Sequence, residues 1–192
     1  AIVTFAGANY AQHPEAISAA LADAKTGDIF LLQNEVSLKA HAARLAKAAG
    51  LFVVYSAAPF DPAIVGEMLP HVDLLAVNEI EAAQLAKALG ISEREIPVPN
   101  LLVTRGAKGA VWREQSTGDE TRSAAFPVEP IDTTGAGDCF TGYLVAGLEQ
   151  GMTRADALRL AAAAAAVKVT RHGTADAIPD RERSMLTLAL LA

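Results

Sequence analysis

Short apolar runs rich in β-branched and aromatic residues alternate along the chain with longer, Ala-rich amphipathic stretches. The short runs are apolar throughout, which is typical of strands that are covered on both faces. The predicted strands are Ile2–Phe5, Ile29–Leu32, Phe52–Tyr55, Leu74–Val77 and Leu101–Thr104. The predicted helices are Glu15–Ala24, Leu38–Ala49 and Glu79–Leu89. This alternation of strand and helix predicts an α/β fold with a parallel sheet.

Glycines and polar segments mark where these elements end. Gly50 and Gly90 fall where helix C-terminal caps belong. After the apolar run Ala110–Arg113, the polar segment Glu114–Arg122 predicts a turn inside a hairpin. The rest of the chain has a mostly helical pattern, and it contains no internal repeat or linker. The sequence therefore predicts a single domain over residues 1–192.

Composition narrows the classes of function. The chain has 192 residues, of which 52% are hydrophobic and 20% charged, and this is typical of a folded domain. A net charge of −6 without a basic cluster argues against nucleic acid as a partner. The single cysteine, Cys139, cannot form an intrachain disulfide, and the alanine run Ala161–Ala166 is too short to span a bilayer. We expect a cytoplasmic protein that does not bind membranes.

The stretch Asp132–Gly151, DTTGAGDCFTGYLVAGLEQG, carries the clearest chemical signal. Gly135, Ala136 and Gly137 have almost no side chain, so a ligand can approach their backbone N–H groups closely. A helical pattern follows, and the N-terminus of a helix favours a phosphate through its unsatisfied N–H groups and its dipole. The sequence therefore predicts an anion site with a carboxylate, Asp138, inside it.

Two interpretations of Asp138 are open on the residues alone. It is either a helix-terminal acid, which the dipole stabilises by about 0.3–1 kcal/mol, or a general base for an attacking hydroxyl. In the second case the neighbouring amides would stabilise the charge on the transferred group. The loop lacks the third glycine of a dinucleotide fold, and the chain has no G-K-[ST] sequence, so neither common nucleotide motif is present.

The run D-T-T-G-A-G-D-C-F-T-G that begins at Asp132 closely resembles the C-terminal signature of the ribokinase, or phosphofructokinase-B (PfkB), family of sugar kinases. Three other segments match in the family's order. Asn78–Glu81 resembles the N-x-x-E motif, Thr104–Gly109 the T-x-G-x-x-G nucleotide loop, and Thr170–Gly173 the late helix-to-loop segment. The resemblance implies a ribokinase-like three-layer α/β/α sandwich with a mostly parallel central sheet. It also implies that the N-terminal third and the lid of the family are missing from these residues.

The activity implied by the resemblance is an ATP-dependent transfer of the γ-phosphoryl group to a primary hydroxyl of a sugar or sugar-like substrate. Asp138 would be the general base, and the amides of Gly135, Ala136, Gly137 and Asp138 would form the anion hole. Glu35 matches a position that can contact the sugar, although alone it could equally be a helix-start acid. The alternative is a nucleotide-binding relative that is non-catalytic or regulatory. The expected partners are the sugar and ATP, with a homodimer as an open question.

The resemblance also implies ligands for the nucleotide and its metal. Asn78 and Glu81 would position hydrated Mg²⁺ and phosphate, while Thr104, Gly106 and Gly109 would bind ATP. Taken alone, the first pair is better explained as a solvated helix N-terminus, and the second set as a glycine turn between strands.

A monovalent cation is the last ligand that the resemblance suggests. In family members that use K⁺, Asp132 and Thr134 contribute to its site with backbone carbonyls near Arg171 and Gly173. Ala177 stands here at a later position that sometimes supplies a hydroxyl, so the sequence leaves K⁺ dependence open.

Overall fold

The computed structural model describes Phe5 and residues 7–190. The predicted strand Ile2–Phe5 therefore lies outside the described residues except for Phe5, which is exposed and not in a strand. Gly7–Tyr10 forms a short 3₁₀-helix.

The described residues form a mixed α/β structure. The strands are β1 (Ile29–Leu32), β2 (Phe52–Ser56), β3 (Leu74–Asn78), β4 (Asn100–Thr104), β5 (Ala110–Glu114) and β6 (Glu120–Ser123). The α-helices are α1 (Pro14–Ala20), α2 (Lys39–Ala48), α3 (Pro62–Met68), α4 (Glu79–Leu89), α5 (Ala136–Glu149), α6 (Arg154–Val169) and α7 (Arg181–Leu190). The strand order of the sheet is β1 to β6. β1–β2 and β2–β3 are parallel and β5–β6 is antiparallel, which confirms the predicted fold class.

The described chain groups into two compact units. The first contains the residues up to Leu101 together with Glu114–Thr117. The second contains Leu102–Arg113 and the residues from Gly118 onward. A single domain over residues 1–192 stays a prediction.

The core of the first unit consists of consecutive buried residues on β2 and β3. Val53, Val54 and Tyr55 are fully inaccessible to solvent, as are Leu74 and Leu75. Helix α2 contacts β1 and β2, and α4 contacts β3. The continuous apolar runs of the sequence are thus explained by burial on both sides of each strand.

One carboxylate links several elements of the first unit. Asp73 Oδ1 accepts a hydrogen bond from Lys47 Nζ on α2 at 2.6 Å, and Oδ2 accepts one from the Val53 amide on β2 at 3.0 Å. The Asp73 carbonyl accepts from the Asn100 amide at 3.0 Å. A residue just before β3 therefore fixes the positions of α2, β2 and the start of β4.

Helix α3 was not predicted. It begins with Pro62 and is capped by Asp61, whose Oδ1 accepts a hydrogen bond from the Ala63 amide at 2.9 Å. An Asp-Pro pair is a standard helix-start signal, so the sequence did contain the information. Helix α1 ends at Ala20 rather than at the predicted Ala24, and it contains no buried residue whose packing would extend it.

Helix α6 is the centre of the second unit. Most of its residues are buried, and it contacts α5, α7 and β6. Small residues let α5 approach closely: a Cβ added at Gly147 would lie 3.1 Å from Ala157 Cβ. At its start, the Arg154 guanidinium carbon lies 5.3 Å from the ring centroid of buried Trp112. The alanine run of the sequence is therefore a close-packing surface.

The predicted hairpin is present, but its turn is shorter than the polar segment Glu114–Arg122. Strand β6 already starts at Glu120, whose Oε1 accepts from Arg113 Nη2 at 2.6 Å across the ladder. Arg122 donates to the other oxygen of Glu120. The Arg113 guanidinium holds the pKa of Glu120 below its usual value. Cross-strand ion pairing thus explains why these polar residues form a strand.

Gly109 lies where β5 begins and has almost no space around its Cα. Its φ is +87°, and a Cβ added there would lie 2.0 Å from the Ser123 carbonyl oxygen. Gly118, in the hairpin turn, has a similar φ of +77° but nothing within 4 Å. The two glycines therefore differ in crowding and not in the sign of φ.

We expect Gly109→Ala to lower the free energy of unfolding by more than about 3 kcal/mol, since the new methyl group must displace backbone. Gly118→Ala is the matched control and should cost only about 1–2 kcal/mol, the usual penalty of a left-handed alanine. Urea unfolding of both variants provides the measurement. Equal losses in the two variants would contradict the close approach at Ser123.

Candidate active site

The second unit contains a cavity of about 310 Å³ between the glycine loop and helix α6. Thr104, Gly106 and Gly109 line it on the loop side. Helix α6 contributes only small apolar side chains, from Ala162, Ala165, Ala166 and Val169. Such walls let a flat ring lie close to the backbone. The structure thus brings the predicted nucleotide loop and helix α6 together at one cavity.

The first turn of α5 lines the same cavity through Ala136 and Gly137. The helix is preceded by Gly135 in the left-handed conformation, with φ of +74°. The Ala136 amide donates to the Thr133 carbonyl at 3.1 Å, so this turn uses one of the amides expected in the anion hole. The amides of Gly137 and Asp138 follow in the first turn of α5, at the positive end of the helix dipole. These two amides are therefore better candidates for the anion hole than the Ala136 amide.

Asp138 is exposed in the first turn of α5. A Cβ added at Gly135 would lie 3.7 Å from its Oδ2, so the carboxylate lies beside the turn glycine. The neighbouring Cys139 is buried, and burial raises the pKa of its thiol to about 11. At neutral pH this thiol is protonated, which fits a packed residue and not a nucleophile.

Asp132 holds the start of the glycine turn. Its Oδ1 accepts from the Thr134 amide at 2.9 Å, and its Oδ2 accepts from the Gly173 amide at 3.0 Å. The hydrogen bond from the Thr134 backbone is the main cause that lowers the pKa of Asp132 to about 2, with a further contribution from Gly173. The structure therefore brings together three of the residues expected at a K⁺ site.

A fully buried lysine, which the sequence analysis did not single out, lies against the same turn. Lys168 Nζ donates to the Asp132 carbonyl at 2.9 Å. Gly173 presents an N–H group to Asp132, while the Arg171 amide donates to the Lys168 carbonyl at 3.2 Å as α6 ends. Hard cations require oxygen ligands, so a cluster of N–H donors and an ammonium group fits K⁺ poorly.

Asn78 and Glu81 lie in the first unit, at the junction of β3 and α4, and form a reciprocal capping box. Asn78 Oδ1 accepts from the Ile80 and Glu81 amides, each at 2.9 Å, and Glu81 Oε2 accepts from the Asn78 amide at 2.8 Å. This geometry gives both side chains a structural role at the helix start. One carboxylate beside an amide fits Mg²⁺ only if the ion keeps most of its water.

Glu35 is exposed in the turn after β1. The preceding residue, Asn34, makes the hydrogen bonds that hold this turn in place. Asn34 is buried; its amide N–H donates to the Ala58 carbonyl at 2.8 Å and its Nδ2 to the Pro59 carbonyl at 2.9 Å. The Tyr55 hydroxyl donates to Asn34 Oδ1, and burial raises the pKa of that hydroxyl. Asn34 thereby connects the end of β1 to the loop after β2.

Two further properties of the described residues concern metals and membranes. No group of three or more His, Cys, Asp or Glu side chains there is placed to hold a metal ion. In the same part of the chain, every helix is too short or too polar to cross a membrane.

Comparison with known proteins identifies the family. The family model described as pfkB family carbohydrate kinase matches residues 1–181. The chain belongs to the pfkB family of carbohydrate kinases. A ribokinase from Arabidopsis thaliana is 31% identical over 201 residues, which covers 97% of this chain and 52% of the relative. The chain spans 52% to 61% of the length of this and two bacterial ribokinases.

Solved structures confirm the ribokinase-like fold. A ribokinase from Thermotoga maritima has a TM-score of 0.83 at 30% identity, covering 98% of this chain and 65% of that one. The Arabidopsis thaliana ribokinase complexed with ribose and ATP has a TM-score of 0.82 at 27% identity, covering 98% of this chain and 64% of that one.

We expect Asn78→Ala to lower the free energy of unfolding by about 0.5–2 kcal/mol, because the amides of Ile80 and Glu81 lose their acceptor. Asn78→Ser keeps a capping oxygen and should leave stability close to that of the wild type. Urea unfolding measures both. If serine were as damaging as alanine, the capping role would be wrong.

Proposed function

We propose that this chain carries the ATP site and the phosphoryl-transfer chemistry of a sugar kinase. The observation that carries the proposal lies within the second unit. The turn that leads to Asp138 lines, through Ala136 and Gly137, the same apolar cavity as the Thr104–Gly109 loop. A carboxylate, backbone amides at the start of a helix and a cavity for a flat ring are the parts that this reaction needs.

The proposed reaction is an in-line displacement on the γ-phosphorus of ATP. The Asp138 carboxylate accepts the proton of a primary hydroxyl of the sugar, and the hydroxyl oxygen forms a bond to phosphorus. The bond from phosphorus to the bridging oxygen of ADP breaks, and ADP leaves with the electron pair. The amides of Gly137 and Asp138 donate to the oxygens of the transferred group.

Mg²⁺ belongs to the proposal as the ion that neutralises the phosphate oxygens during transfer. Asn78 and Glu81 would hold it through its water molecules, in keeping with the preference of Mg²⁺ for a hydrated shell. K⁺ is left out of this reaction because the groups around Asp132 do not fit it.

The proposed substrate is a pentose such as ribose. A relative that covers 97% of this chain is named ribokinase, and the similar Arabidopsis thaliana structure contains ribose and ATP. Glu35 is proposed to contact the sugar, since it is exposed at the carboxyl end of a parallel strand, where ligands bind in open α/β sheets. We place the enzyme in the cytoplasm on the basis of its single, buried thiol.

A nucleotide-binding protein without turnover is the alternative. Asp138 argues against it, because a carboxylate beside a phosphate site weakens anion binding by charge repulsion, whereas a kinase uses it to remove a proton.

The nucleotide pocket can be tested by filling it. Ala165 lines the cavity and is only partly buried, so Ala165→Leu should extend into the pocket without disturbing the core. We expect it to weaken ATP binding by at least about tenfold, since a steric misfit costs 1–3 kcal/mol. Isothermal titration of the 192-residue chain with ATP is the measurement.

Ala155→Leu is the control for that experiment. Ala155 is exposed on the same helix and is not among the lining residues, so this variant should bind ATP as the wild type does. Unchanged ATP affinity in Ala165→Leu would exclude this cavity as the nucleotide site.

The general base can be tested with Asp138→Asn, which keeps the shape and removes the charge. We expect kcat for sugar phosphorylation to fall by about 10²–10⁴-fold, because a positioned base is lost. ATP affinity should stay equal or rise slightly, since a negative charge leaves the phosphate site.

Asp156→Asn is the matched control, because Asp156 occupies the same position in the first turn of α6 as Asp138 does in α5. Both variants lose a similar helix-end stabilisation of about 0.3–1 kcal/mol, but only Asp138→Asn should lose turnover. If Asp138→Asn has the kcat of the wild type, Asp138 is only a helix-end acid and not the general base. Absence of kinase activity from the wild type across pentoses, hexoses and nucleosides would favour the non-catalytic alternative.

A further inference from the structure

The buried ammonium group of Lys168 has no part in the reaction described so far. Its side chain is fully inaccessible to solvent near the end of α6, and its Nζ donates to the Asp132 carbonyl at 2.9 Å. Burial of an ammonium group is costly unless the charge is paired and hydrogen-bonded. Its presence therefore needs a structural or functional reason.

The ammonium group interacts with the residue that begins the phosphoryl-transfer turn. It attracts the carboxylate of Asp132, whose two oxygens accept the amides of Thr134 and Gly173. The Asp132 amide also donates to the Val169 carbonyl at 3.1 Å, next to Lys168 in the chain. Lys168 and Asp132 thus fasten the end of α6 to the segment that leads to Gly137.

We propose that Lys168 is a built-in cation, which positions the turn from Asp132 to Gly137 so that phosphoryl transfer requires no K⁺. The ammonium group supplies the positive charge and the directed N–H donor on which the turn depends. The inference rests on the proposed kinase activity only in naming the reaction that the turn serves. Lys168 is a positioning residue, because it touches the turn and not the transferred group.

Two observations favour the ammonium group over a bound metal ion. A K⁺ ion at Asp132 would lie close to a second positive charge in a buried environment, where like charges repel strongly. Ala177 is buried beside Gly173: a Cβ added at Gly173 would lie 4.0 Å from the Ala177 methyl group, where a hydroxyl could have supplied an oxygen ligand.

The first test compares the wild-type protein in KCl and in choline chloride at equal ionic strength. A resident K⁺ at a hundredfold its Kd would raise Tm by roughly 5–10 °C. We expect equal Tm in the two salts, and kcat values that agree within about twofold. A KCl-specific rise in Tm, or stimulation of kcat by more than about tenfold, would overturn the proposal.

The second test removes the charge. Lys168→Met keeps most of the packing volume and should lower kcat by about 10–100-fold with a smaller change in the KM for ATP, because the turn is misplaced. Lys168→Ala leaves space for a small cation, so K⁺ or ethylammonium should restore part of its kcat. Lys87→Met, at an exposed position on α4, is the control and should resemble the wild type.

The remaining outcomes also decide whether Lys168 positions the turn in place of K⁺. Wild-type kcat and Tm in Lys168→Met would overturn the positioning role, as would equal activity of Lys168→Ala with and without added cations. If Lys168→Met fails to fold, the comparison of salts in the wild type decides alone. If the wild type has no turnover, the kinase proposal fails, yet Tm in the two salts still tests whether Asp132 holds K⁺.

Discussion

The hydrogen bonds around Asp132 determine the local geometry on which the candidate site depends. Asp132 lies just before α5, and its carboxylate, its carbonyl and its amide connect the turn that begins this helix to the end of α6. Each bond uses a backbone group that would otherwise lack a partner at a helix end or in a loop. The exposed carboxylate of Asp138 follows in the first turn of α5.

A second constraint is the size of the residues around α6. Helices approach closely only where side chains are small, and Gly147 and the alanines of α6 satisfy this condition. Other alanines of this helix, Ala162, Ala165 and Ala166, line one wall of the cavity, so one Ala-rich helix serves both packing and the cavity. Gly109 adds a backbone constraint on the opposite wall, because its neighbour Ser123 leaves no room for a side chain.

Local patterns predicted most of the fold. Strands β1 to β4 and helices α2 and α4 lie within one residue of the expected positions, since continuous burial leaves a clear apolar run. The site motifs were also visible, and the glycine loop and α6 do meet at one cavity. The burial of Lys168 was not predictable, because its partner Asp132 is 36 residues away and nothing in the neighbouring sequence distinguishes it from a surface lysine. Asn34 was missed for the same reason, as its partners Ala58 and Pro59 become neighbours only when β1 and β2 pair.

For the proposed kinase, the apolar character of the cavity has a consequence for the choice of nucleotide. Its lining residues in the described part of the chain include two threonines but no charged side chain, and its α6 wall consists of methyl and isopropyl groups. A purine bound against such a wall is held by dispersion and by its flat shape, which adenine and guanine share. Discrimination between the two bases would then depend on main-chain carbonyl and amide groups at the rim. The phosphate donor would thus be selected mainly by its triphosphate, and a cell's abundance of ATP would decide which nucleotide is consumed.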